Sequence, residues 1–343
     1  MTPLNRSQFI TPATGRSLVA QFGLICLTGT LGFTDCRAQN LDALRNLLSD
    51  NARSRGLGSM VQGLAGFGAV PGISGANFDV DSTGAVTDSD LSRMNFPLAH
   101  DFKQVGGLKQ DLHTELALGW LTGSTDFRNL QPGTPFNSDV SSDLSAMSIV
   151  GGVGLGFPLT DELTLTPMAL LGYSHVEDDS TFSGPGAAAL DGLTREILFN
   201  YSVDELLYGA ALELKYAHSL AGDIDLQAKL RYNQLFAETL DASNDALEGS
   251  GNFGVLTAFI QFDGPTPAKL FGRDLRWIGF AANSTFVGDA ADGLGFDYFF
   301  ELGGGIELVE PNILQGVEGF SVRGSALIGN GVTGWSLGAQ LEF

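Results

Sequence analysis

Only four histidines occur in the 343 residues, His100, His113, His175 and His218, and one of them stands where hydrolytic chemistry could be assembled. His175 is followed closely by Glu177, Asp178, Asp179 and Ser180, and a histidine oriented by a carboxylate beside a hydroxyl is the arrangement that activates a serine nucleophile. The competing reading is a structural histidine. It fits better, because no Gly-x-Ser-x-Gly segment is present to carry the nucleophile. A second candidate is the run from Asp79 to Asp90, which places carboxylates at its first, third and twelfth positions (Asp79, Asp81, Asp90) and Gly84 at its sixth, the spacing of a calcium loop. Thr83 at the fifth position and Asp90 in place of glutamate depart from that pattern, and no helix is evident on either side. A polar hairpin turn at Ser82-Thr83-Gly84 is the simpler reading. Gly151-Gly152-x-Gly154-x-Gly156 and Gly303-Gly304-Gly305 lack the lysine, threonine and following helix of a phosphate loop, so glycines that relieve crowding on strands account for both. The sequence therefore assigns no catalytic residue, no cofactor or cofactor-binding residue, and no metal ligand.

The elements that would have to position these residues are strands. From Asn77 onward period-two segments dominate. Ile224, Leu226, Ala228, Leu230 and Tyr232 alternate with Asp225, Gln227, Lys229, Arg231 and Asn233, and Tyr208, Leu212 and Leu214 with Gly209, Glu213 and Lys215. Leu112, Leu116, Leu118 and Trp120 alternate with His113, Glu115, Ala117 and Gly119. Side chains on a strand point alternately to opposite faces, so each segment has one apolar face and one polar or glycine face. Twelve strands are expected, at 76–82, 88–99, 109–123, 143–158, 162–177, 199–218, 223–239, 252–263, 273–287, 294–309, 317–328 and 332–343. The links near Thr160-Asp161-Glu162 and Leu220-Ala221-Gly222 are short, whereas those at 124–142, 178–198 and 240–251 on the opposite side are long. Short turns at one end and long loops at the other are the asymmetry of outer-membrane β-barrels. The links 100–108 and 264–272 are longer than that pattern prefers, and the stretches Phe253 to Phe262 and Leu275 to Phe286 switch phase, which calls for bulges or different boundaries. Trp120, Trp335, Tyr173, Tyr208, Tyr216, Tyr232 and Phe157 are candidates for aromatic girdles at the two interfaces, or are ordinary strand residues chosen for β propensity.

The N-terminus reads as an export signal: Arg6 and Arg16 precede an apolar stretch from Leu18 to Phe33, followed by Cys36-Arg37-Ala38, with cleavage expected after Ala38. Cys36 follows Asp35 and Cys26 follows Ile25, not the small residue that lipidation requires. Both cysteines leave with residues 1–38, so no disulfide is expected. The same cut removes Arg6, Arg16, Arg37 and Asp35 and moves the net charge from −21 to −23. That balance argues against a nucleic-acid partner, which needs a basic patch, and fits acidic surface loops bridged to lipopolysaccharide by divalent cations. Residues 39–75 differ from the rest. Leu41, Leu44, Leu47 and Leu48 predict an amphipathic helix to about Arg53. Gly56, Gly58, Gly63, Gly66 and Gly68 then loosen the chain, and Pro71 ends any helix. Arg45, Arg53 and Arg55 against Asp42 and Asp50 leave this segment at +1. They suggest a plug held by lumen carboxylates such as Glu115, Glu213, Glu301 and Glu307; a mobile periplasmic tail is the alternative.

The chain reaches Phe343 through Trp335-Ser336-Leu337-Gly338-Ala339-Gln340-Leu341-Glu342, with large or apolar residues at the odd positions. Together with the leader, the helical segment and the strand count, this ending resembles the solitary outer-membrane autotransporter-like β-barrels. The resemblance covers most of residues 39–343 and implies an all-β fold: a closed antiparallel transmembrane barrel over 76–343, with a short α-helix in the lumen supplied by residues 41–55. It implies a non-enzymatic structural or transport role at the cell surface. It also implies outer-membrane lipid and lipopolysaccharide as surroundings, and the outer-membrane assembly machinery as a partner that engages the strand ending in Phe343. Some 37 residues between cleavage site and first strand leave no room for a passenger, and a monomer is expected. An open porin, a hydrolase at the barrel rim around His175, and a soluble exported calcium-binding β-protein are the alternatives. Fractionation separates the last from the rest: a barrel follows the outer membrane and shows heat-modifiable gel mobility, whereas a soluble sandwich enters the aqueous phase without detergent.

Overall fold

In one of the late strands, β10 (Tyr298–Val309), adjacent residues face opposite environments. Phe300 and Leu302 are 53% and 72% exposed, while Phe299 and Glu301 are 1% and 3% exposed. A soluble sheet would bury the leucine and expose the glutamate. The reverse describes a wall with hydrocarbon outside and polar groups within. The computed structural model describes residues 41–54, 56–70, 75–80, 86–103, 105–107, 110–130, 133–288, 294, 296–309 and 319–342. Residues 1–40, Arg55, 81–85 and Phe343 are among those outside them.

The described strands are β1 (Ala76–Val80), β2 (Val86–Phe102), β3 (Asp111–Leu130), β4 (Ser138–Pro158), β5 (Leu163–Ser183), β6 (Ser202–Leu220), β7 (Ile224–Ala242), β8 (Ser250–Leu270), β9 (Arg273–Val287), β10, β11 (Gly319–Gly329) and β12 (Val332–Glu342). Each pairs antiparallel with its sequence neighbour, and β1 pairs also with β12, so the sheet closes on itself. Closure rests on a short strand: Ala76–Asp79 pair with Arg93–Asp90 of β2, and Asn77–Val80 with Trp335–Val332 of β12. A closed antiparallel sheet leaves no unpaired edge for hydrocarbon to meet, the requirement that admits barrels to membranes.

Three sequence expectations change. First, β3, β4 and β5 extend well into the expected outer loops, to Leu130, back to Ser138 and out to Ser183. Their outer ends carry Asp139, Ser141 and Asp143 paired with Ser183, Thr181 and Asp179. Beyond the apolar band the outward face meets water and turns polar, while the inward face stays buried with Phe127, Leu130 and Val140 in the core, so an outward face no longer marked by large apolar residues hides the ladder that continues. Second, the expected link 264–272 contracts to a two-residue turn. Leu270 pairs with Arg273, and Phe271 and Gly272 both have positive φ, 52° and 79°, as a type I′ hairpin turn requires. The register slips between Pro265 and Lys269, where Pro265 and Pro267 cannot donate to the ladder. Third, the phase switches in β8 and β9 are not bulges. Gly254–Pro265 and Val287–Arg276 pair without interruption, and Phe253, Val255, Phe280 and Phe286 are buried inside the barrel. Apolar residues on the inner face need an apolar partner, and a helix supplies it.

That helix is the second of three α-helices among the described residues. Helix α1 (Leu41–Ser54) is the amphipathic one; α2 (Leu57–Ala69) occupies the glycine-rich stretch expected to be loose, and α3 (Ala187–Thr194) lies in the link between β5 and β6. Helix α2 packs against β2, β3, β4, β5, β7 and β8, hence around most of the inner wall. Glycine costs a helix roughly 1 kcal/mol per position relative to alanine. Here the cost is offset by approach: a Cβ on Gly58 would stand 2.6 Å from the Leu247 carbonyl oxygen, and one on Gly66 would stand 2.9 Å from Phe253.

The outward face makes a direct prediction. Leu302→Lys, on the lipid side of β10, should destabilise the barrel in lipid vesicles by about 2–4 kcal/mol, read from denaturant unfolding, with a much smaller effect in a soft detergent micelle.

Candidate functional site

The site with the greatest density of specific contacts is the lumen, which divides into a dry half around α2 and a charged half beyond its C-terminus. Phe67 near the end of α2 meets Phe78, Phe286 and Phe296 edge to face, with ring centroids 5.7, 5.5 and 6.1 Å apart. Phe299 joins the cluster through Phe78 at 5.4 Å. These rings come from α2, β1, β9 and β10 and the residues just before β10, so helix and wall are packed as one core.

The C-terminus of α2 is held by Arg93 of β2. Its Nε donates to the Phe67 carbonyl at 2.9 Å and its Nη2 to the Val70 carbonyl at 2.7 Å, while the guanidinium lies 5.5 Å from the centre of the Phe67 ring. The last carbonyls of a helix lack intrahelical donors and carry partial negative charge, so a buried arginine satisfies them and complements the helix dipole. Arg93 is 1% exposed, and the helix end offsets part of the cost of burying it. The backbones also touch: a Cβ on Gly119 of β3 would fall 2.1 Å from the Gly68 carbonyl oxygen. At the other end α1 reaches the long links. Arg45 contacts the Gly192 carbonyl at 3.4 Å and Glu196 at 3.3 Å, and Arg53 donates to the Asp245 carbonyl at 2.6 Å.

The expected lumen carboxylates do face inward, but they do not hold the plug arginines. Glu115 of β3 takes a bidentate pair from Arg231 of β7, at 2.6 and 2.7 Å, and Glu213 of β6 lies 3.4 Å from the same guanidinium. Since β3 and β7 are four places apart in the closed order, the Arg231–Glu115 pair ties separate parts of the wall through the lumen. Asp101 and His113 continue the chain of charges, with His113 Nδ1 2.6 Å from Asp101 and Nε2 3.7 Å from Glu115. Glu301 accepts from Ser325 and Ser336 at 2.5 and 3.2 Å. Arg45 and Arg53 sit among partners in the links between β5 and β6 and between β7 and β8, because α1 lies at that end of the barrel and does not descend to these glutamates. Arg55 lies outside the described residues. Sequence reasoning missed Arg93 and the whole of α2; Arg93 stands among the inward residues Leu91, Ala76 and Leu121, and the strand pattern carried no signal of the helix end it meets.

His175 lies on the outward face of β5, with Nδ1 2.7 Å from Asp204 and Nε2 4.0 Å from Glu177. Tyr173 donates to the same Asp204 oxygen at 2.6 Å. No serine hydroxyl bonds to His175 among the described residues, so the histidine and carboxylate are brought together without the nucleophile. Asp178 is used structurally: its carboxylate accepts from the Ser142 and Ser180 hydroxyls and the Asn200 amide, pinning the link that carries α3. Asp79 and Asp90 stand opposite each other on β1 and β2, as a hairpin places them; Asp81 and Gly84 lie outside the described residues.

With this geometry in place, comparison with known proteins adds the following. The family described as solitary outer membrane autotransporter beta-barrel domain matches residues 75–337. No curated protein matches the chain. Solved structures similar to it include the β domain of the Bordetella autotransporter Brka, with 11% identity, a TM-score of 0.44 and coverage of 77% of this chain and 95% of that one. The transport unit of the Escherichia coli autotransporter AIDA-I has 11% identity, a TM-score of 0.45 and coverage of 83% and 98%. The translocator domain of NalP from Neisseria meningitidis has 14% identity, a TM-score of 0.42 and coverage of 86% and 98%.

The contacts at the end of α2 predict two mutational outcomes. Arg93→Met, which strips the helix carbonyls of their donors, should lower unfolding stability in detergent by about 3 kcal/mol. Gly119→Val should cost about 1–3 kcal/mol through overpacking, and limited proteolysis should then cut within 41–69 in either variant sooner than in the parent.

Proposed function

The chain belongs to the solitary outer membrane autotransporter β-barrel domain family, and from that premise we propose that it is a non-enzymatic outer-membrane barrel, closed by its own N-terminal helices, with a structural or transport role at the cell surface. The observation that carries the closed state is the seating of α2, whose Gly68 carbonyl lies against Gly119 and whose end is gripped by Arg93. Residues 61–70, all buried between helix and wall, support a lumen closed to solute.

Orientation follows from the strand ends. If the end of β12 is periplasmic, the links carrying α3 and Asn244 to Glu248 face outward, and α1 caps the external mouth through Glu196 and Asp245. Residues 1–38 would act as the cleaved export signal, and 39–75 as the plug segment of a barrel that occupies 76–343. Acidic strand ends such as Asp139, Asp143 and Asp179 would then face lipopolysaccharide headgroups, where divalent cations bridge like charges. The assembly machinery would engage the strand ending in Phe343. A non-enzymatic reading is supported by His175, which faces outward with carboxylates and lacks a hydroxyl partner among the described residues.

Planar bilayers test the reading. The intact protein should leave the current at baseline, and deletion of residues 41–69 should produce discrete channels of large conductance. A silent trace after deletion, with the barrel shown folded by heat-modifiable mobility, overturns the plug; open channels from the intact protein favour a porin.

A further inference from the structure

Two side chains in the wall are sealed from water and have no hydrogen-bond partner among the described residues. Glu205 of β6 and Ser174 of β5 stand directly opposite each other in the ladder, both on the inward face, and each is 0% exposed. Both carboxylate oxygens of Glu205 and the Ser174 hydroxyl lack a hydrogen-bond partner among the described residues. Directly opposed residues of an antiparallel ladder hold their Cβ atoms ~5 Å apart, so these three oxygens can converge on one point. Ser148 of β4 stands on the far side of Ser174, and Thr239 of β7 on the far side of Glu205. Those two are engaged, Ser148 with the Gly119 carbonyl at 3.5 Å and Thr239 with Nε2 of Gln62 in α2 at 3.0 Å.

A carboxylate removed from water without a donor or a counter-charge is strongly unfavourable, so it either takes up a proton or draws a donor or counter-charge into its environment. The buried arginines are committed elsewhere, Arg93 to the end of α2 and Arg231 to Glu115 and Glu213. We propose that Glu205 and Ser174 bind a hard monovalent cation, of the class of sodium, between the plug helix and the wall. The donor set selects the class. It is made of oxygens alone, which suits hard cations and not the softer transition metals. One carboxylate balances one charge, whereas a divalent ion such as calcium would leave net positive charge in a sealed space. Bound there, the cation neutralises the wall where α2 lies against it, and the helix keeps water out. This inference does not depend on whether α2 blocks conduction.

The test uses the full-length protein refolded in detergent, with heat-modifiable gel mobility reporting the unfolding midpoint in sodium chloride and in choline chloride at equal ionic strength. Sodium should raise the midpoint saturably. Glu205→Gln, which keeps the shape and removes the charge, should unfold at the same temperature in both salts, and Ser174→Ala should need roughly tenfold more sodium for half its effect. Identical wild-type midpoints in the two salts, or a sodium response retained in Glu205→Gln, overturn the site, and Glu205 then carries a proton instead. Should Glu205→Gln fail to fold, an unchanged half-saturating sodium concentration in Ser174→Ala overturns it equally.

Discussion

Hydrocarbon offers no hydrogen bonds, so each N–H and C=O of a chain that crosses it has to find its partner within the protein. In this molecule the condition is met by ring closure, and closure falls to β1, a strand of five residues wedged between β2 and β12. Much else converges on that wedge. Phe78 of β1 is the inner residue that meets Phe67, Phe296 and Phe299, and Arg93, the partner of Ala76 in the ladder, grips the end of α2. The strand that completes the wall is thereby fastened to the helix that fills it.

Filling a narrow barrel with a helix brings two backbones into contact, and the residue types respond on both surfaces. Glycines in α2 meet the link before β8 at Leu247 and the wall at Phe253, and Gly119 in the wall meets α2 at Gly68. Apolar side chains on the inner face of β8 and β9 complement this dry contact. Past the helix end the inner face changes character, and charges pair across the lumen from Glu115 to Arg231. Buried ion pairs of this kind add little net stability over a well-packed apolar alternative, although breaking one by removing a partner is costly. Their evident consequence here is to fix the spacing of strands that are not neighbours.

How much of this was legible in the residues differs from element to element. Twelve strands could be read because hydrocarbon outside and polar groups inside impose period two, as along Ile224 to Asn233. The same reasoning failed at the outer ends of β3 to β5, where the outward face meets water in place of hydrocarbon and Asp143 pairs with Asp179. It misread β8 and β9 because it took the inner face to be polar throughout. It also misread residues 57–69, since glycine content argues against a helix in isolation and only contact with the wall argues for one. The plug arginines were assigned to lumen glutamates on charge alone; in the structure Arg45 and Arg53 reach Glu196 and Asp245 instead.

By itself, then, the sequence determined the class of wall, the strand number and the polarity of its short and long links, because these follow from local alternation and turn length. Tertiary structure alone decided that α2 is a helix, that Arg93 is its cap, that Arg231 answers Glu115, and that Glu205 faces Ser174 behind the plug. Each of those depends on groups distant along the chain arriving within a few ångströms of one another, and alternation along a strand carries no record of what stands across the lumen.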